Sequence, residues 1–391
     1  MLAHRRSRLE PLEKRLALAV TATVSSGDLI VKGDADGAVA ITSVGSGAFE
    51  VTDNGVVVAD SSMLTGVDRN VKIDIDPSAG ADNAVTLDLG TQTVDRIYAD
   101  LGNGTNSLTV TGGGATSFRF KGGTGADTVD LSTPISGHAD IYLGNGANNL
   151  SVNGSVGSLF VRGGSDADTA TVASTAAISH GAFVSLGSGD NSFELDGTVG
   201  GRLLVTAGSG ADTVTLADVS SVTHSVGLAL GGGDNTATIA GSIGGSLRYD
   251  GRDGNDTLTI ADTAKITDNV FARLGAGDNV LNQNGNIGGN LTFTSKNASD
   301  QFNLGANAVV GGTTNNKLGQ QRSDNGHEGH EGHEGHEGSG CDHALVTNGH
   351  TTQTGTTTTT ATATSTAASR TGTSRSKAAS HVASLASRLR R

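Results

Sequence analysis

The chain has 391 residues, a formal net charge of −13, 59 glycines, three prolines, no tryptophan, one cysteine and only 3% aromatic residues. So few aromatics argue against an ordinary globular core, where Phe, Tyr and Trp supply much of the buried area; scarce Pro and irregular Gly exclude collagen, and the lone Cys341 excludes an intrachain disulfide. Basic side chains gather at the two ends and leave an acidic middle, the reverse of a nucleic-acid groove, and no apolar run approaches the ~20 residues of a membrane span.

The first element is residues 1–24. Arg5, Arg6, Arg8, Lys14 and Arg15 precede a short run of small apolar residues from Leu16 to Val24, the pattern of an export leader. The box Leu9-Glu10-Pro11-Leu12-Glu13-Lys14-Arg15-Leu16 resembles the LE-x-LE-x-R leader of large bacterial exported and cell-surface proteins. That resemblance implies an extracellular or cell-surface destination, with cell-envelope or matrix components as partners, and says nothing of an activity. Across 25–77 the segments GDLIVKG, AVAITSV and GVVVAD predict strands without the phase of the later repeats, as in a β cap or irregular first coils.

Residues 78–311 repeat themselves. One turn type reads LGNGTN at 101–106, LGNGAN at 143–148, LGSGDN at 186–191, LGGGDN at 230–235 and LGAGDN at 274–279; its last Asn recurs in steps of 42, 43, 44 and 44. A second type, GTGADT at 123–128, GSDADT at 164–169, GSGADT at 208–213 and GRDGNDT at 251–257, interleaves with it, with Asp82 and Asp300 out of step. Apolar residues alternate between the turns, as in Leu203, Val205 and then Val214, Leu216, so each half-repeat holds strands with one buried face. A single unit cannot close a core, whereas a stack can. The expected fold is an all-β parallel β-solenoid of ~22-residue coils, about ten of them at ~4.8 Å each, with small inward side chains; an antiparallel sandwich is the competing arrangement.

GGTGADTVD at 122–130 fits the nonapeptide G-G-x-G-x-D-x-U-x and resembles the haemolysin-type calcium-binding repeats. The resemblance implies Ca²⁺ at the Gly/Asp corners, with Asp127, Asp168, Asp212 and Asp256 as ligands and Asp190, Asp234 and Asp278 adding carboxylates. The pattern departs from that family in that single copies alternate with Asn turns. Stacked in register, Asp127, Asn148, Asp168, Asn191, Asp212, Asn235, Asp256 and Asn279 also form a ladder whose Asn amides donate to the carboxylates above and below, with no metal.

Residues 312–391 are low in complexity: a GHEGHEGHEGHEG run at 326–338, a Thr-rich stretch, and an Ala/Ser/Arg end. His327, His330, His333 and His336 with Cys341 and His343 are a ligand set for Zn²⁺, Cu²⁺ or Ni²⁺. Val382, Leu385 and Leu389 sit at helical spacing beside Arg388, Arg390 and Arg391, which suits an anionic surface. The leading reading is a structural or adhesive surface protein; a metal-binding protein acting through the GHE run is the alternative. A carbohydrate-active β-helix enzyme is disfavoured, because Arg202, Arg248, Arg252 and Arg273 are scattered and His138, His180 and His224 fall on repeat positions. No catalytic motif appears, so no enzyme is expected.

Overall fold

The computed structural model describes residues 20–319 except 36, 61 and 76–81. Among the described residues there are strands and turns but no helix, and so none long and apolar enough to cross a membrane. The strands stack as a parallel β-solenoid of about eleven coils of ~21 residues. A representative coil runs along three faces. Thr213–Leu216 lies on the first, Ser221–Val222 on a short one, and Val226–Ala229 on the second. A Gly-rich corner then returns the chain, and Thr236–Ile239 lands in register on Thr213–Leu216. The other two faces do likewise, Val222 on Ile243 and Val226 on Leu247.

Two-residue alternation fixes what points inward. On the first face the inner column runs Leu150, Ala170, Phe193, Val214, Ala237, Leu258. On the second it includes Val205, Leu228, Tyr249, Ala272 and Phe293. Phe118, Phe120, Phe193, Tyr249 and Phe293 are all fully buried, so the interior is less thin than the composition suggests. Each of the last three has Ala or Val beside it on an adjacent coil, which keeps the local volume near the close-packed density of a core. The short face contributes one inward residue per coil, and these are β-branched throughout: Ile178, Val199, Val222, Ile243, Ile266, Ile287. A two-residue strand has little backbone to hold it, and a side chain stiff at χ1 suits it.

The earlier coils differ. Thr93–Asp100, Gly114–Lys121 and Ile135–Tyr142 each carry the short and second faces on one eight-residue strand. The register slips between Ala115 and Phe118 and between Ile135 and His138. From Val156–Arg162 onward the two faces separate, Val156 pairing with Ile178 and Leu159 with Ala182.

At the N-terminal end, Thr21–Ser25 pairs antiparallel with Asp28–Lys32, and Ala38–Gly45, Ala48–Asp53 and Val56–Ala59 form an antiparallel meander. Asp28–Lys32 and Ala38–Gly45 then join the parallel stack through Asn70–Asp74 and Ala84–Asp88. All three strands expected across 25–77 are present. At the other end Thr314–Lys317 pairs with Leu291–Ser295, so the stack runs through Lys317 rather than stopping at 311.

Candidate functional site

The corner between the second and first faces carries the Asn and Asp residues that the repeat singles out. Eleven of them form one buried column: Asn83, Asn106, Asp127, Asn148, Asp168, Asn191, Asp212, Asn235, Asp256, Asn279 and Asp300. Asp300 is therefore a rung and not an outlier. Asp82 gives way to its neighbour Asn83, which takes the first position.

The column has a direction. From Asn106 onward each Oδ1 accepts the backbone N–H of the rung one coil earlier, at 2.8–3.1 Å, without a break from Asn83 to Asp300. Each Asn amide adds a second donation forward, as from Asn106 to Asp127 (2.9 Å), Asn148 to Asp168 (2.8 Å), Asn191 to Asp212 (2.8 Å) and Asn235 to Asp256 (2.9 Å). From Asn106 onward its other hydrogen goes to a glycine carbonyl of its own turn, Gly146 at 2.7 Å or Gly189 at 2.8 Å for example, whereas Asn83 gives it to the Leu101 carbonyl at 3.3 Å. The expected donation to the carboxylates above and below is thus one-sided. Backward, Asn148 meets Asp127 through its Oδ1, which accepts the Asp127 N–H (2.8 Å) and has no proton to give the carboxylate.

That asymmetry leaves the second carboxylate oxygen short of donors. Oδ2 of Asp127, Asp212 and Asp256 is buried and accepts no well-formed hydrogen bond. The Gly123 N–H near Asp127 and the Tyr249 hydroxyl near Asp256 ease the charge without relieving it. Asp168 Oδ2 receives one long bond from Gly164 N–H (3.2 Å), and Asp300 Oδ2 takes the Ser295 hydroxyl and the Asn279 amide. The space for Oδ2 is cut by small residues five positions before the rung. A Cβ at Gly122, Gly163 or Gly251 would collide with the carboxylate, and Ala207 holds that place before Asp212. In the Asn coils the same position holds buried Leu101, Leu143, Leu186, Leu230 or Leu274. Burial pushes the carboxyls of Asp127 and Asp256 up to about 6, against the bonds from Asn106 and Asn235 that pull them down. Asp168 and Asp212 are raised for the same reason, and the carboxylates of Asp166 and Asp190 beside them add to it. Burial also raises the Tyr249 hydroxyl, with the Asp256 charge adding to the rise.

Asp190, Asp234 and Asp278 do not join the buried column. They are exposed, one residue earlier, on an outer row. Asp190 Oδ1 accepts Ala211 N–H (2.7 Å), Asp234 Oδ1 accepts Asn255 N–H (2.7 Å) and Asp278 Oδ1 accepts the Asn297 amide (3.0 Å). Asp82 does the same for Thr105 N–H (2.8 Å). Each Asp rung leaves at most one carboxylate oxygen without an amide donor, Asn rungs separate it from the next Asp, and glycine carbonyls of the Asn turns accept Asn amides. Among the described residues no group of three His, Cys, Asp or Glu is placed to hold a metal ion. His327, His330, His333, His336, Cys341 and His343 lie outside the described residues, as do positions 1–19 of the leader.

The outer surfaces of the two broad faces differ in chemistry. The fourteen strands of the first face contain no Lys or Arg, and their outward residues include Thr109, Thr171, Thr215, Thr238 and Thr259. The second face carries nine Lys and Arg, among them Lys72, Arg96, Arg119, Lys121, Arg162 and Arg273. It also holds Tyr98, Tyr142, Phe160, Phe183 and Phe271, which point outward. Phe160 and Phe183 stack at 5.2 Å, Tyr142 packs on Phe160 at 5.8 Å, and the Arg119 guanidinium covers the Tyr142 ring at 5.1 Å. A groove of about 560 Å³ opens among Lys72, Arg96, Tyr98, Arg119 and His138, with Asp140 as an acid on its wall. His180 and His224 occupy a different corner, with ring nitrogens against the carbonyls of Gly157 and Gly200 (3.0 and 3.2 Å).

Comparison with protein-family models, with curated proteins and with solved structures gives no match. Sequence reasoning missed the second face because its columns emerge only when coils of unequal length are laid in register. The alternation of Leu with a small residue five positions before each rung was visible in the LGxGxN and GGxxAD turns, as a large-small pair tied to Asn and Asp.

Proposed function

We propose that this chain is a non-catalytic structural or adhesive repeat protein of the cell surface or extracellular space. In this reading the corner ladder locks coil to coil and the broad faces meet envelope or matrix components. The observation that carries it is the continuity of the ladder from Asn83 to Asp300. Between these two residues every buried Asp is a rung, committed through Oδ1 to the preceding coil, which makes the raised pKa of Asp127 and Asp256 a by-product of packing. The surface destination rests on the basic and apolar pattern of residues 1–24.

In the same reading amides, and not calcium, hold the corners. Thermal melting of the full chain by circular dichroism, with millimolar Ca²⁺ and then with chelator, tests this. Equal melting temperatures support the amide ladder; a rise of many degrees with Ca²⁺ overturns it and favours the Oδ2 atoms of Asp127, Asp212 and Asp256 as ligands. Cell fractionation tests the destination, and a protein retained in the cytosol would sink the surface role.

A further inference from the structure

Net charge hides how the fold sorts charge. The chain is acidic overall, yet register gathers most of its described cations on one face and none on the strands of the opposite one. Some are spent in ion pairs, Lys72 with Asp28 (2.5 Å), Lys121 with Asp100 (2.8 Å) and Arg273 with Asp250 (3.7 Å). Among the described residues Arg96, Arg119 and Arg162 have no carboxylate partner: Arg96 donates to the Ser117 hydroxyl (3.3 Å), Arg119 lies on Tyr142, and Arg162 pairs in register with Tyr142 across the next coil.

Of the rings beside these guanidinium groups, Phe160 stacks on Phe183 and packs at a tilt on Tyr142, and Arg119 lies over Tyr142, so these rings already have partners. Ring edges carry the positive end of the quadrupole and add to the pull of the guanidinium groups on an anion. A nucleobase needs a free ring face on which to stack. An anion needs only the edge and a guanidinium, which grips a carboxylate through paired N–H groups.

We propose that the second face, from Arg96 to Arg162, is a docking strip for an extended acidic polysaccharide. Coils advance by ~4.8 Å, so a polymer lying along the stack meets a new set of outward residues at each step. A polyuronate, with one carboxylate per sugar on a regular extended backbone, matches such a strip; a folded protein surface does not present its acids in that way. The inference deepens the adhesive reading above and rests on it.

The test is binding of the full chain to polygalacturonate, with dextran as the neutral polymer and oligothymidylate as a competitor. Two double variants are compared, Arg119→Ser with Arg162→Ser on the strip, and Arg202→Ser with Lys265→Ser away from it, each checked for an unchanged melting profile. Both remove two positive charges and keep the basic end of the chain, so its contribution cancels. The strip variant is expected to bind polygalacturonate about tenfold more weakly, with salt weakening the wild type in parallel, while the control variant binds as the wild type does. Equal losses in both variants, or equal binding to dextran, overturn the proposal. Competition by oligothymidylate that disappears in the strip variant alone would reassign the face to single-stranded nucleic acid. Failed binding by a surface-located protein sinks the strip and leaves the structural reading standing; a cytosolic protein sinks both.

Discussion

The side-chain amide of Asn191 donates to Oδ1 of Asp212 at 2.8 Å, and nothing donates to the other oxygen of that carboxylate. All coils run in one direction, so every rung leans the same way. An Asn can serve the rung ahead with a proton, whereas an ionised Asp has none for its own successor. At Asp127, Asp212 and Asp256, whose second oxygen lacks a donor, the ladder is therefore better satisfied with a proton on the carboxyl, and the raised carboxyls of Asp127 and Asp256 express that preference.

Stability should consequently rise on mild acidification. An Asp whose folded pKa is about 6 against a reference of 3.8 binds its proton more tightly when folded. Its stabilising effect is complete below the unfolded value and is lost as pH rises through the folded one. Melting from about pH 7.5 to about pH 5 should show the temperature climbing by several degrees. Asp28, held low chiefly by the Lys72 ammonium, acts in the opposite sense but only in stronger acid. A melting temperature that falls steadily across this window would contradict the ladder's role.

Replacing one rung should flatten that response. Asp256→Asn keeps an Oδ1 for Asn235 and removes the buried charge; the Asn83–Asn106 step, with bonds of 3.1 and 3.0 Å, already shows that two amides stack. The variant should be at least as stable as the wild type near neutral pH and show a smaller gain in acid. Asn235→Asp should do the reverse, setting three carboxylates in succession at a cost of about 3 kcal/mol near neutral pH. Chemical denaturation at two pH values measures both.

Gly231 should tolerate no side chain. Its φ is +83° and a Cβ there would collide with the Gly208 carbonyl oxygen of the coil before. Gly231→Ala should lose at least about 2 kcal/mol, from the left-handed backbone and the clash together. Urea unfolding beside the half-exposed control Ser221→Ala would show it.

The short face depends on one buried side chain per coil. Ile243→Ala should cost about 3 kcal/mol, the usual effect of emptying a filled core position. Thr236→Ala, on the outer surface of the first face, should stay within about 0.5 kcal/mol. Comparable losses at both would mean that the interior is not what holds the coil.

The fold was legible because two periodicities agree. The interleaving of Asn148, Asp168, Asn191, Asp212 and Asn235 gives the coil, and the alternation Leu203, Val205, Val214, Leu216 gives the buried face of each strand. The ends were harder. Asp82 and Asp300 both looked out of step; the register passes over Asp82 for Asn83 but takes Asp300, whose second oxygen meets Ser295 where other Asp coils have a glycine or alanine. The outer face was not legible at all. Arg119 and Tyr142 lie on successive coils, and the contact appears only once the register is known, which sets Arg119 opposite Asp140 and the Tyr142 ring two residues further along the same strand.

The pairing of Leu with Asn rungs and of a small residue with Asp rungs also bears on how such a chain lengthens. Duplication of a single coil ending in Asp sets two carboxylates against each other, while duplication of two coils reproduces the alternation of charge and of volume together. A coil ending in Asp is therefore not duplicated alone without penalty, and natural variants of different length should never set two Asp rungs in succession.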